Sequence, residues 1–216
     1  MKALFFIFLL IIVSLHVYGQ EKREWFFDEI NISLNRTNLK NDNTDDRNGF
    51  GLGVARSFMS GKRFNILFGM EYNRTSQFKK SIYEGHFSSS KDVTFTLNCI
   101  SVPFGFRYNF GNKLKVFIDS GIFTDIMINS NQKGTRQNYY YDNTQHFVYT
   151  ETHYSENARL QASAGISFGI GTKIPIGKYE LIIRPDYKFG VNELISLSMD
   201  QLFCRYMRLV IGMKLK

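Results

Sequence analysis

The chain has 216 residues, 27 of them Lys or Arg against 19 Asp or Glu, a formal charge of +8, with 44% hydrophobic and 16% aromatic residues. Two cysteines are too few for a disulfide framework, and the two or three domains of a longer chain are excluded by length and by the absence of any repeat, low-complexity or Pro-rich divider. Beyond the first residues no stretch is long and apolar enough to cross a bilayer as a helix.

The N-terminus sets the compartment. Lys2 precedes the apolar run Ala3 to Val13, and the chain turns polar near Val17-Tyr18-Gly19-Gln20. This is the n-region, h-region and cleavage site of a signal peptide. The run is shorter than the ~20 residues of a membrane anchor, and no cysteine stands at the cut as in a lipoprotein. Residues 1–19 are therefore expected to be a signal peptide for Sec export, cleaved near Gly19-Gln20, and 20–216 a single domain. Removing Lys2 leaves 26 basic residues against 19 acidic, or +7. Export makes nucleic acid an improbable partner for that charge, and an anionic membrane surface remains.

Through the mature chain the hydrophobic period is 2, which is the period of strands. In chain order the expected strands lie near 25–37, 48–60, 62–75, 93–110, 113–129, 159–176, 178–192 and 202–215. In the fourth, Ile100, Val102, Phe104, Phe106, Tyr108 and Phe110 oppose Ser101, Pro103, Gly105, Arg107 and Asn109. The fifth carries Asp119, Gly121 and Asp125 on its odd side. The sixth is the clearest, with Leu160, Ala162, Ala164, Ile166, Phe168, Ile170, Ile174 and Ile176 on one side and Ser163, Gly165, Ser167, Gly169 and Gly171 on the other. In the seventh the apolar side runs from Tyr179 to Val191, and the other includes Glu180, Arg184, Asp186 and Lys188. Tight joins at Ser60-Gly61, Gly111-Asn112 and Gly177-Lys178 alternate with long polar connections at about 38–47, 76–92, 130–158 and 193–201.

Eight strands with short turns at one rim and long loops at the other match an all-β, eight-stranded antiparallel up-and-down barrel of the outer membrane. The even count returns both termini to the periplasmic side. A soluble lipocalin-like barrel shows the same alternation, but its polar face would carry Lys and Glu along every strand. The uncharged row from Ser163 to Gly171 suits a crowded lumen instead, and Phe104, Phe106, Tyr108, Phe110, Tyr179, Tyr187 and Phe189 suit interfacial girdles.

The segment Leu97-Asn98-Cys99-Ile100-Ser101-Val102-Pro103-Phe104-Gly105-Phe106-Arg107-Tyr108-Asn109-Phe110-Gly111, followed by Val116-Phe117-Ile118-Asp119-Ser120-Gly121, resembles the PorT-like or outer membrane beta-barrel domain group. Leu209 to Lys216 is similar to its closing strand, although the chain ends on Lys216 and not on the aromatic residue common in such barrels. The resemblance implies location in the outer membrane of a Gram-negative bacterium and a barrel fold, and it admits a role in secretion. It does not imply one activity.

About eight strands leave an interior that side chains fill, so no open pore is expected. Parity turns Glu29, Glu71, Arg107, Asp119, Asp125, Glu180, Arg184, Asp186, Lys188 and Arg208 inward, as a salt-bridge network in place of an apolar core or, less simply, an ion path. Cys99 and Cys204 fall on the fourth and eighth strands, across the ring, too far apart to be joined. His86 lies near Glu84 and Ser88, and His153 near Ser155 and Glu156, but sequence proximity supplies no catalytic geometry. No cofactor and no metal site is expected. The 130–158 loop carries Tyr139, Tyr140, Tyr141, His146, Phe147, Tyr149, His153 and Tyr154, an adaptable contact surface for an unidentified protein or ligand or, equally, an outward hairpin of cross-paired tyrosines. Lys133, Arg136 and Arg159 lie where phosphates of outer-membrane lipid and lipopolysaccharide would attract them. The function expected is that of a monomeric, non-enzymatic barrel, structural or binding through its loops. The alternative is a lipid-modifying enzyme on a small barrel.

Overall fold

A computed structural model describes residues 26–37, 44–58, 63–85, 87–111, 115–141, 144, 146–158, 160–196 and 201–215. The expected signal peptide, the Ser60-Gly61 join, His86 and Arg159 lie outside the described residues.

Every described element is a strand: β1 (Glu29–Thr37), β2 (Thr44–Asp45), β3 (Arg47–Phe58), β4 (Phe64–Gly85), β5 (Ser88–Phe110), β6 (Lys115–Tyr141), β7 (Phe147–Asn157), β8 (Ser163–Ile176), β9 (Tyr179–Ser196) and β10 (Gln201–Leu215). Eight of them, β1, β3, β4, β5, β6, β8, β9 and β10, are joined edge to edge in an antiparallel ring. The ring closes where β10 returns to β1, from Glu29↔Lys214 to Thr37↔Tyr206. Gly177 (φ 58°) and Gly111 (φ 77°) take the left-handed backbone at two of the short turns, which a side chain would strain.

The side chains are sorted in reverse of a water-soluble barrel. Ile30, Leu34 and Ile122 are 60% exposed or more, in company with Leu52, Phe104, Phe106, Ile126, Phe168, Ile170 and Ile211. Arg107 and Lys188 are fully buried. Only a hydrocarbon surrounding makes that arrangement favourable. Two prolines sit within the wall: neither Pro103 on the β4 side nor Pro185 on the β8 side appears in the ladder, where a proline has no N–H to donate.

The long connection at 76–92 is the main correction to the sequence reading, while 130–158 takes the outward hairpin of cross-paired tyrosines that was one of its two expected forms. Residues 76–85 and 88–92 continue β4 and β5 as a hairpin, and 130–141 continue β6, which pairs with β7 from Asn131↔Asn157 to Tyr141↔Phe147. β7 and β8 lie along the same edge of β6, interrupted at 158–162. At ~3.3 Å per residue the 27 residues of β6 run about 90 Å, whereas ~9–11 residues cross the apolar core. β4, β5, β6 and β7 thus rise past the rim as a four-stranded wall. Likewise 193–196 belong to β9, and 44–45 form β2 against β4. At the other end of the error, Leu160 precedes β8 and packs inward against a core cluster instead of standing on the lipid face.

The hydrophobic phase changes along the wall. On β5, Tyr108, Phe106, Phe104 and Ile100 face outward, but from Cys99 on it is Leu97, Phe95 and Val93 that are apolar, and these face inward and are buried. Opposite this point Cys99 pairs with Met127 and Asn98 with Asn129, so Ile128 is an extra residue on β6, a bulge that resets its parity too. Ile82, Val93, Phe95, Leu97, Leu194, Cys204 and Tyr206 form an apolar core at this height, with Met127, Ala158 and Leu160 packed on it. Below the switch the barrel is inside-out and above it the barrel has the sense of a soluble protein. The switch therefore marks the membrane surface.

Candidate functional site: the charged lumen and the wall above it

Below the apolar core the lumen is filled by ions. Arg107 donates through Nε and Nη2 to both oxygens of Asp119 at 2.8 and 2.9 Å, and through Nη1 to Glu29 at 3.0 Å. Asp119 Oδ2 also accepts from Arg184 Nη1 at 2.8 Å, and Arg184 Nε lies 3.1 Å from Asp186. Asp186 is held bidentately by Arg208 at 2.6 and 2.7 Å, and Arg208 Nη1 reaches Glu71 at 2.5 Å. Lys188 completes the series, donating to Glu71 at 3.0 Å and to Ser101 Oγ at 2.5 Å, with Asp125 at 3.9 Å. Nine of the ten side chains that parity turned inward are thus joined in one chain of contacts that alternates in sign. Four cations stand against five carboxylates, a formal balance of −1.

Glu180 is not part of it. It accepts from the half-exposed Lys115 at 2.8 Å, nearer the rim that carries the short turns. There too Lys173 donates to Asn109 at 2.8 Å, and Lys214 contacts Ser57 Oγ and lies 3.2 Å from Asp28.

Aromatic rings and glycines fix the ions in place. The Arg107 guanidinium lies 4.1 Å over the Phe117 ring, and Lys188 Nζ 4.9 Å from that of Phe123. Both rings come from β6 and need space on β8. A Cβ at Gly171 would stand 2.4 Å from Phe117 Cζ, and one at Gly165 2.8 Å from Phe123 Cζ. The small row on β8 is accordingly the seat of two rings on the adjacent strand. A void of about 60 Å³, lined by Glu29, Asn31, Glu71, Arg184, Asp186 and Arg208 among others, has room for a few waters.

Cys99 and Cys204 are free and buried; Cys99 Sγ lies 3.6 Å from Asn73 O, and Cys204 Sγ 3.3 Å from Asp125 Oδ2. Among the described residues no three His, Cys, Asp or Glu side chains are grouped to hold a metal ion.

The aromatic set of the 130–158 segment is split by the strands it sits on. Tyr139 pairs with Tyr149, their rings 5.3 Å apart, and Gln137 Nε2 donates to Tyr149 OH and to Glu151 at 2.5 Å each. His153 is on that same face, with Nδ1 2.9 Å from Thr135 Oγ1. Tyr140 and Tyr154 fall on the other. Tyr154 OH accepts from Gln132 at 2.7 Å, and Arg136 lies 4.7 Å over its ring. Tyr141, paired with Phe147, and His146, 2.8 Å from Thr144, lie at the tip. Tyr140, Tyr141 and Tyr149 remain open to solvent.

Arg136 ties the two hairpins together, donating at 3.1 Å to Glu84 of β4 and to Glu156 of β7. Partial burial lowers its proton affinity, and the two carboxylates outweigh this and hold its pKa above the ordinary arginine value. Ser155 accepts from Asn131, and Glu156 is engaged by Arg136. The lumen core of apolar residues was missed by sequence reasoning, although Val93-Thr94-Phe95-Thr96-Leu97 alternates plainly once the phase is allowed to change.

Comparison with solved structures gives neighbours that share little sequence. Neisserial surface protein A is 11% identical, with 87% of this chain and 96% of that one covered and a TM-score of 0.45. Ail, the attachment invasion locus protein of Yersinia pestis, is 14% identical over 88% and 99%, TM-score 0.39. OprG from Pseudomonas aeruginosa is 8% identical over 87% and 95%, TM-score 0.44. No curated protein matches the sequence. A family model does match, over residues 18–196, and with the lipid-facing ring and its ion-filled interior it leads to one conclusion: the chain belongs to the outer membrane protein beta-barrel domain family and resides in the outer membrane of a Gram-negative bacterium.

Proposed function

We propose that this protein is a closed, non-conducting barrel whose task is to hold a polar β-wall above the membrane as a binding surface. The observation that carries the reading is the rise of β4, β5, β6 and β7 past the rim while their neighbours end lower. A wall cross-braced by Arg136 and edged by tyrosines is a rigid platform of amphipathic contacts, of the kind protein and ligand surfaces use. β7 adds to this, since among the described residues it pairs only with β6 and leaves an eleven-residue edge open for strand addition.

The test replaces residues 137–151 by Asn-Gly in the chromosomal gene and compares that strain with a full deletion. Loss of attachment to surfaces or to host protein in both strains, with barrel abundance unchanged in the first, supports the reading. A change in the set of secreted proteins would move the function to a PorT-like role, and altered lipid A species would move it to lipid chemistry.

A further inference from the structure

We infer that the outer wall across β10, β1, β3 and β4 is a seat for the phosphorylated head group of lipid A in the outer leaflet, with Arg205, Arg36 and Arg74 as the phosphate ligands. These are the first outward side chains above the apolar rows. On β10, Arg205 follows Met207, Leu209, Ile211 and Met213; on β1, Arg36 follows Ile30, Ile32 and Leu34; on β4, Arg74 follows Phe68, Met70 and Tyr72. That level coincides with the switch in hydrophobic phase on β5, where Asn98 pairs with Arg74.

The register keeps the three together. Arg36 pairs with Met207, one outward position below Arg205 on β10, and on its other side with Asn48 of β3. Arg74 pairs with Phe50 of β3, one outward position from Asn48. Arg36 and Arg74 are two strands apart and offset by one outward position, about 12 Å, a distance that a phosphorylated disaccharide spans.

Local chemistry favours a phosphate. On β3 Arg47 lies over the Phe78 ring of β4 at 4.8 Å. The carboxylates flanking them among the described residues are Asp45, Asp46 and, on β9 opposite Phe203, Glu193, so four arginines face three acids. Asp46 takes Arg36 Nε and Nη2 at 3.1 and 2.8 Å and leaves Nη1 for a ligand. Arg205 is stacked on Phe189 at 4.1 Å and Phe203 at 4.3 Å, and its Nε donates to Gly190 O at 3.3 Å, which holds the guanidinium in place. A planar guanidinium held in place is the group best matched to phosphate oxygens. The opposite wall has no such row, since at this level β5 carries Asn98, Thr96 and Thr94.

The inference rests on reading the β4–β7 side as extracellular, and its test does not. Full-length barrel purified in detergent is mixed with bis-phosphorylated lipid A, with phosphate-free lipid A or with phosphatidylglycerol, and bound lipid is counted by native mass spectrometry. Expected is retention of bis-phosphorylated lipid A at least tenfold above the other two, lost at least tenfold in Arg36→Gln/Arg74→Gln/Arg205→Gln and kept in Lys133→Gln/Arg136→Gln. Equal retention of the phosphate-free form, of phosphatidylglycerol or by the triple variant overturns the proposal. Should the triple variant fail to fold, Arg74→Gln and Arg205→Gln are read singly, and the absence of a loss in both is equally fatal. Which way the barrel stands is decided separately, by protease on intact cells.

Discussion

Arg107 bonds carboxylates from two other strands inside a lumen where it is fully buried, so deleting its guanidinium leaves Asp119 and Glu29 without their principal cation. Breaking a buried pair from one side costs roughly 3–5 kcal/mol, whereas an exposed pair is worth under about 1 kcal/mol. Arg107→Met is therefore expected to lower the urea midpoint of the barrel in lipid by far more than Arg136→Gln, whose guanidinium is partly in water. Equal effects of the two would mean that the lumen is wet and the ion chain unimportant. Gly171→Val makes a second test at this scale, because its side chain enters the space of the Phe117 ring that lies under Arg107. Overpacking of this kind costs about 1–3 kcal/mol, read in the same urea series. Parity was enough to say which of these side chains point inward, since a two-residue period fixes the face. It could not say which acid meets which base, because Glu71 and Arg208 are brought together by ring closure across 137 positions. Glu180, on the correct face, is too near the rim to join them.

At the scale of elements, the eight membrane strands were legible; of the wall only the outward hairpin at 130–158 was, as one of two readings. A strand shows a two-residue hydrophobic period only where its faces meet different media. Above the rim β6 and β7 carry polar side chains on both faces, from Ser130 to Tyr141 and from Tyr149 to Asn157, so their sequence has the composition of a loop. The bulges at Ile128 and at Asp92 (φ 52°) break the count further. Because the pairs from Gln137↔Glu151 to Tyr141↔Phe147 lie beyond all contact with the lumen core, joining Arg136 to Thr152 through Asn-Gly is expected to shorten the wall and spare the barrel. Unboiled protein should still migrate apart from boiled protein on a gel. Protease added to intact cells should cut at the tip between β6 and β7 and leave Gly177-Lys178 whole; the reverse pattern would mean that the wall stands in the periplasm.

For the molecule as a whole, an ion-filled lower lumen and an apolar upper one are two seals in series. The wild-type barrel is expected to give no steady conductance in planar bilayers, and stable large openings would refute the closed reading. The ion chain also bears on how the protein is made. Its contacts join β1 to β5, β4 to β9 and β4 to β10, and the last strand must pair with the first before the lumen closes. A half-inserted sheet would hold Lys188, Arg208 and Glu71 in hydrocarbon without their partners, at several kcal/mol each. Intermediates are thereby penalised, and insertion should be a late, all-or-none event preceded by a slow search on the bilayer surface. Refolding into vesicles, followed at once by mobility on a cold gel and by fluorescence of a label at Leu34, should give one rate for both signals.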